Sequence, residues 1–332
     1  MLETRVTKLL GIRYPIILGG LQLLGRAPLA AAVSAAGGLG LVTAGCFADA
    51  AALRAELDLA RRLTDRPVGV NISLGIRREM DEFFAACVEA GVPAVFTSGR
   101  NPEKHVPALK RAGIKLVHVV PAVRYARKAQ DIGADAVVVV GFEAGGHPGM
   151  DEVTNLALIP RACDALSIPV IAAGAVADGR GLVAALALGA EGVQVGSRFV
   201  ATVECMAHEK VKQAYLAAAE TDTVLVEKSL KNAMRVLRSD VAQKVLDLEA
   251  QGAGVEKLLP LIGGEAYARV VDGGDLSAGV LSCGQGVGLI REILPAGEVV
   301  ARMVAEARAV LERLNGTDGG GNEAFGAGEG KA

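Results

Sequence analysis

Tryptophan is absent from this chain of 332 residues, and aromatic residues of all kinds make up only 3% of it. Platforms for stacking bases are therefore not expected. The net charge of −2 leaves no electrostatic footprint for nucleic acid either. The five cysteines, Cys46, Cys87, Cys163, Cys205 and Cys283, are dispersed and form no C-x-x-C pair, so they read as small core residues in a reducing compartment. No cysteine–histidine zinc set and no H-E-x-x-H pattern occurs, and no metal site is expected. A serine nucleophile in a G-x-S-x-G elbow is also missing. No uninterrupted apolar run reaches the length of a membrane span. Residues Met1 to Lys8 lack the basic-then-apolar order of a signal peptide. The expectation is a cytoplasmic protein with neither a membrane nor a nucleic-acid partner.

What is present is apolar bulk: 51% hydrophobic residues against 22% charged, which suits a large α/β core. Short β-rich runs alternate with helical patterns. Strands are expected at 15–18, 39–43, 68–72, 94–97, 116–120, 136–140, 169–173 and 192–195. Helices are expected at 27–36, 49–63, 77–90, 102–112, 123–132, 155–166 and 179–188 between them. Eight such units in roughly 200 residues match a (β/α)8 TIM barrel. An open doubly wound sheet is the rival, but Leu18-Gly-Gly-Leu-Gln22 does not fit a G-x-G-x-x-G turn. The barrel core is assigned to 1–202. Residues 203–272 read as a mainly helical subdomain whose basic clusters, Lys228 to Lys231 and Arg235 to Arg238, form a solvated face. Residues 273–314 hold a glycine-rich segment and a closing helix, and 315–332 read as a disordered tail.

The chemistry is expected at the C-terminal ends of the strands, where barrel enzymes place it. Gly141-Phe-Glu-Ala-Gly-Gly-His-Pro-Gly149 comes directly after the sixth strand and sets His147 in a cradle whose Gly145 and Gly146 permit close approach to a ligand. Taken alone, it could equally be a glycine-rich turn with an incidental histidine. Loops after strands seven and eight are the usual phosphate cradle, and here Ala173, Gly174, Gly196 and Ser197 occupy them. Asn71 ends strand three and points into the mouth, where its amide can meet a flavin or phosphate edge. Asp178 reads as a helix N-cap. Glu143 is placed to orient His147 or to cap a turn. His118 reads as a core group, His105 follows a helix start, and His208 has no carboxylate or cysteine at metal spacing.

Several stretches together resemble the nitronate monooxygenase (2-nitropropane dioxygenase-like) family of FMN-dependent barrel enzymes, which includes NADH:quinone reductases and enoyl-acyl-carrier-protein reductases. They are Tyr14 to Gly20, Ala35 to Gly40, Gly69 to Ile72, Gly141 to Gly149, Ile171 to Gly174, Ala177 to Gly181 and Val195 to Phe199. Ser282-Cys-Gly-Gln285 also looks like a flavin-proximal segment of the family. The resemblance covers about residues 10 to 310. It implies FMN at the barrel mouth, its phosphate on Gly174, Gly196 and Ser197. Gly19, Gly20 and Asn71 would lie near the ring system, with Ser282, Gly284 and Gln285 nearby. It implies oxidation of alkyl nitronates with oxygen, with His147 as base or orienting group. The alternative is NAD(P)H-dependent reduction of quinones or enoyl thioesters, toward which His147-Pro148-Gly149 and the long segment after strand eight lean. Leu21-Gln22 and Val119 depart from the family pattern where substrate or flavin would be touched. NADH or NADPH is then a co-substrate, a small molecule is the substrate, and a homodimer is left open.

Overall fold

The computed structural model describes residues 2–75 and 78–316. Eight parallel strands form one sheet in the order β1-β8-β7-β6-β5-β4-β3-β2. They are β1 (Ile16–Leu18), β2 (Gly40–Thr43), β3 (Val68–Leu74), β4 (Ala94–Gly99), β5 (Lys115–Val120), β6 (Ala136–Val140), β7 (Val170–Ala173) and β8 (Gly192–Val195). The sheet closes where Leu39 N–H donates to the Ile16 carbonyl and Leu18 N–H to the Leu39 carbonyl, both at 2.9 Å. The result is the expected (β/α)8 TIM barrel.

Side-chain alternation builds two apolar layers from these strands. In β6, Ala136 and Val138 face the barrel interior with Ile17, Leu39, Leu41, Phe96, Val117 and Ile171. Val137 and Val139 face outward to the helical layer. Burial on both faces explains why the strands read as continuous apolar runs. Helix α1 (Arg5–Leu10) plugs the N-terminal end, its Val6 and Leu10 packing into the interior layer. The barrel helices are α2 (Ala27–Ala35), α3 (Ala50–Leu63), α4 (Asp81–Ala90), α5 (Val106–Arg111), α6 (Val123–Asp131), α7 (Asn155–Ala165) and α8 (Gly179–Ala187). Asp49 caps α3 through Ala52 N–H, and its Leu53, Leu57 and Ala60 form the buried stripe. Asp178 caps α8, as its sequence position suggests. The start expected at Arg77 for the helix 77–90 lies outside the described residues, and that helix, α4, begins at Asp81.

Strand β8 leads into a single short turn, α9 (Ser197–Val200), and then into the added segment. That segment holds α10 (Glu209–Ala217), a hairpin of β9 (Thr223–Val226) and β10 (Met234–Leu237), then α11 (Asp240–Ala250), α12 (Val255–Ile262) and α13 (Gly264–Val271). The hairpin is absent from the sequence expectation, which has helix there. Its strands have four residues each, too short for alternation to stand out against charged flanks. Arg235 is correspondingly not part of a solvated face: it is 4% exposed. The chain then returns through α14 (Ala296–Gly316), which packs against α8 and α2 and so serves as the eighth barrel helix. It extends beyond the boundary expected at 314, and residues 317–332 of the expected tail lie outside the described residues. Among the described residues no helix is long and apolar enough to cross a membrane.

Ser34 illustrates how α2 is fastened to the barrel. Its buried hydroxyl donates to the Pro67 carbonyl at 2.6 Å and accepts from Gly40 N–H at 2.8 Å. Ser34→Ala strands both partners away from water and is expected to cost about 1–3 kcal/mol of stability. The check is a urea titration, in which the midpoint should fall at an unchanged slope.

Candidate active site at the barrel mouth

Continuing the same alternation two residues past the apolar interior layer reaches a different set of side chains. Gly19, Thr43, Asn71, Ser73, Ser98, Val119, Val140, Ala173, Gln194 and Gly196 all line one cavity of about 720 Å³ at the C-terminal mouth. The floor is apolar and the rim is small or polar, which suits a bound cofactor with a few oriented hydrogen bonds. Two buried rim atoms, Thr43 Oγ1 and Gln194 Oε1, have no hydrogen-bond partner among the described residues. Such atoms call for a polar ligand. Gly20 is needed here because a Cβ would lie 2.4 Å from the Asn71 side chain. Asn71 itself is buried, with Nδ2 3.5 Å from the Phe96 carbonyl.

Of the residues expected to hold the cofactor, Gly19, Gly20, Asn71, Gly145, Gly146, Ala173, Gly174, Gly196, Ser197, Ser282 and Gly284 line this cavity together with His147. Gln285 does not. It opens the 3-10 turn Gln285–Leu289, and its N–H donates to the Glu143 carbonyl at 2.9 Å. The turn after β7 is strained toward the left-handed region at Gly174 (φ 116°) and Ala175 (φ 56°). Asn155 Nδ2 holds it there, donating to the Ala173 and Gly174 carbonyls at 3.2 and 2.8 Å. Glu143 caps α7 by accepting from Asn155 N–H at 3.0 Å, so it caps a turn rather than orienting His147. Gly145 and Gly284 permit two backbones to touch: a Cβ on Gly145 would lie 2.6 Å from Gly284 N. Ser197 Oγ joins the same junction by accepting from Gly284 N–H at 3.1 Å.

The loop carrying His147 is stapled by the added segment. Gly146 N–H donates to the Arg235 carbonyl at 3.1 Å, and Arg235 N–H donates back at 2.6 Å. The Arg235 guanidinium donates to the Phe142 carbonyl at 3.0 Å and stacks 4.5 Å over the Phe142 ring. Beyond β9, the hairpin turn places Asn232 Nδ2 3.0 Å from His147 Nε2 and 2.9 Å from Glu227 Oε2. The His147 ring is open to the cavity, yet protein surrounds it densely enough that burial lowers its pKa from 6.5. Glu227 is 5% exposed, and burial raises its pKa above the carboxylate norm against the opposing Asn232 hydrogen bond. Nothing in the sequence links Asn232 and Glu227 to His147, because they lie some 85 residues downstream. Thr43 and Ser98 were reachable by counting two residues on from the interior apolar positions Leu41 and Phe96, whereas Ser73 and Gln194 follow Asn71 and Gly192 and had no such guide.

The other histidines serve the framework. His118 Nδ1 meets Thr97 Oγ1 at 2.8 Å on the outer face of the barrel, where burial pushes its pKa down to about 4. His105 stacks on Phe84 at 3.5 Å, and His208 caps α10. Among the described residues no group of three or more His, Cys, Asp or Glu side chains is gathered for a metal ion.

Sequence and structure comparisons agree with this geometry. The family model described as nitronate monooxygenase matches residues 3–306. The solved structure of FabK from Thermotoga maritima superposes with a TM-score of 0.87 at 41% identity, covering 95% of this chain and 99% of that one. The (3aS,4S,5R,7aS)-5-hydroxy-7a-methyl-1-oxo-octahydro-1H-indene-4-carboxyl-CoA dehydrogenase of Rhodococcus jostii is 31% identical, over 94% of this chain and 98% of its own length. A probable nitronate monooxygenase of Staphylococcus saprophyticus is 35% identical, over 68% of this chain and 75% of its own. With a family model matched over nearly the whole chain and a ligand-ready barrel mouth, the chain belongs to the nitronate monooxygenase family and is an oxidoreductase of that flavin-using kind.

Proposed function

We propose that this protein is an FMN-dependent reductase of enoyl thioesters that takes its electrons from NADH or NADPH. The observation that carries the reading is the second half of the cavity. Leu230, Met234, Val255, Leu259 and Ile262 from the added segment, with Val280 just beyond it, give it an apolar wall continuous with the polar rim. Val255 and Leu259 are large apolar side chains left 39% exposed, both facing this space. An acyl chain gains from such a wall at about 25 cal/mol per Å² of apolar surface buried, whereas an alkyl nitronate is too small to use it. The relatives aligned over nearly their whole length support the same class. FabK is an enoyl-acyl-carrier-protein reductase, and the Rhodococcus enzyme is named for a CoA thioester.

The rim fits FMN on two counts, the orphaned Thr43 and Gln194 oxygens and the left-handed turn at Gly174 that turns backbone amides to a ligand. Gly174, Gly196 and Ser197 would hold the phosphate, and Gly19, Gly20 and Asn71 would lie near the ring system. The chemistry that FMN supplies there is relay of a hydride between a nicotinamide and a conjugated carbon–carbon double bond. The part of the protein is placement. The apolar wall orients the acyl chain and excludes water, and His147 presents a ring proton toward the thioester carbonyl, where negative charge develops. Its depressed pKa keeps the imidazole neutral through the physiological range.

A second reading, oxidation of alkyl nitronates by oxygen with His147 as base, draws on that same neutral imidazole. Mixing the flavin-loaded protein anaerobically with NADH, NADPH or propyl-2-nitronate in separate cuvettes decides between them. Bleaching by a nicotinamide, reversed by an enoyl thioester, is the expected result; bleaching by nitronate alone would overturn the proposal.

Three further outcomes are expected. His147→Ala should retain FMN yet lose about 10²-fold or more in kcat/KM. Any loss of activity caused by protonating His147 should occur only below pH 6.5 in a pH–rate profile, since burial lowers rather than raises its pKa. Leu259→Trp should raise KM for long-chain thioesters while sparing a four-carbon substrate, as steady-state kinetics on a chain-length series would show.

A further inference from the structure

We propose that Glu227 is a positioning residue, fixing the His147 tautomer through the side-chain amide of Asn232. The geometry is a short relay. One nitrogen, Asn232 Nδ2, lies 2.9 Å from Glu227 Oε2 and 3.0 Å from His147 Nε2. A primary amide nitrogen carries two protons and no accepting lone pair, so it satisfies both neighbours at once only by donating to each. The carboxylate selects this orientation. Flipping the amide would set Oδ1 against Oε2, two acceptors with no proton between them. With an N–H directed at it, Nε2 must accept, and the ring proton is left on Nδ1.

Nδ1 has no hydrogen-bond partner among the described residues, and His147 lines the cavity. The proton that Glu227 secures is thus the one the ring can offer a ligand. Glu227 is itself held rigidly. Its backbone sits at φ 61°, its N–H donates to Glu249 Oε2 at 2.9 Å, and its carbonyl accepts from Leu230 and Asn232 N–H at 3.2 Å. The charged groups around the relay sharpen its dependence on Asn232. Glu249 repels the Glu227 carboxylate, and the neighbouring Lys228 is turned away to pair with Glu152. Burial is what lowers the His147 pKa. This role rests on the proposed function and deepens it, because it states how the proton facing the substrate is kept in place.

The test reads the tautomer directly. Long-range proton–nitrogen correlation on histidine-labelled protein distinguishes Nδ1–H from Nε2–H, and with four histidines the His147 signal is assigned by its loss in His147→Ala. In the wild-type protein, as purified and at pH 7.5, the ring should be the Nδ1–H form. Asn232→Asp should invert it to Nε2–H and raise its pKa by about one unit or more. Glu227→Gln, which tolerates either amide orientation, should abolish the single-tautomer signal and lower kcat at little change in KM and flavin content. An Nε2–H ring in the wild type, or a Glu227→Gln spectrum identical to wild type, overturns the proposal. The wild-type spectrum keeps the proposal falsifiable even if the variants do not fold. Failure here is separable from failure of the substrate class. An Nδ1–H ring in a protein that leaves enoyl thioesters unreduced keeps the positioning role and removes only the substrate.

Discussion

Five backbone groups in the middle of β10 and its surroundings hold the mouth of this barrel together. Arg235 exchanges a pair of hydrogen bonds with Gly146, and its carbonyl also accepts from Cys283 N–H at 3.3 Å. One residue of the added segment therefore fastens both the loop after β6 and the glycine-rich segment beyond α13. These two are pressed so closely that Gly145 and Gly284 have no room for a Cβ. A barrel strand can deliver a histidine to the mouth, but only an outside strand can stop that loop from moving. Backbone pairing suits the purpose because it fixes main chain rather than one rotamer.

The added segment does more than clamp. The barrel supplies the polar half of the cavity, built from inward positions at the ends of the strands. The hairpin and the helices α12 and α13 supply the apolar half and the relay of Asn232 and Glu227. On the proposed function, the eight-stranded frame would hold most of the cofactor and the added segment would receive most of the substrate. This division is physically natural for the fold, since loops at the C-terminal face can be elaborated while the core stays packed. It also explains why the family label alone leaves the substrate open.

Much of the frame could be read in the chain. The runs at 136–140 and 192–195 became β6 and β8 with unchanged bounds, and the others shifted by one or two residues at their ends. Parallel strands buried on both faces leave an unmistakable apolar signature, and Asp178 announced its helix. The loops bearing His147, Gly174 and Gly196 could be located directly from where those strands stop. Gln285 was harder: Gly284 and Gly286 on either side of it line the cavity, and Gln285, at the start of a tight turn, does not. Arg235 was read as solvated because charge usually is; the Phe142 ring, two acceptors and the nearby Glu143 and Glu152 carboxylates ease its burial.

The sequence by itself determined the barrel, the position of the mouth and the identity of the histidine in it, because each depends on local periodicity and on the loop at the end of a strand. The tertiary structure decided what that histidine touches. Asn232 and Glu227 lie far along the chain from His147, in a hairpin too short to show a period, and their meeting depends on how β10 pairs across the mouth. Local pattern records which face a residue turns inward; long-range pairing records which residues then meet.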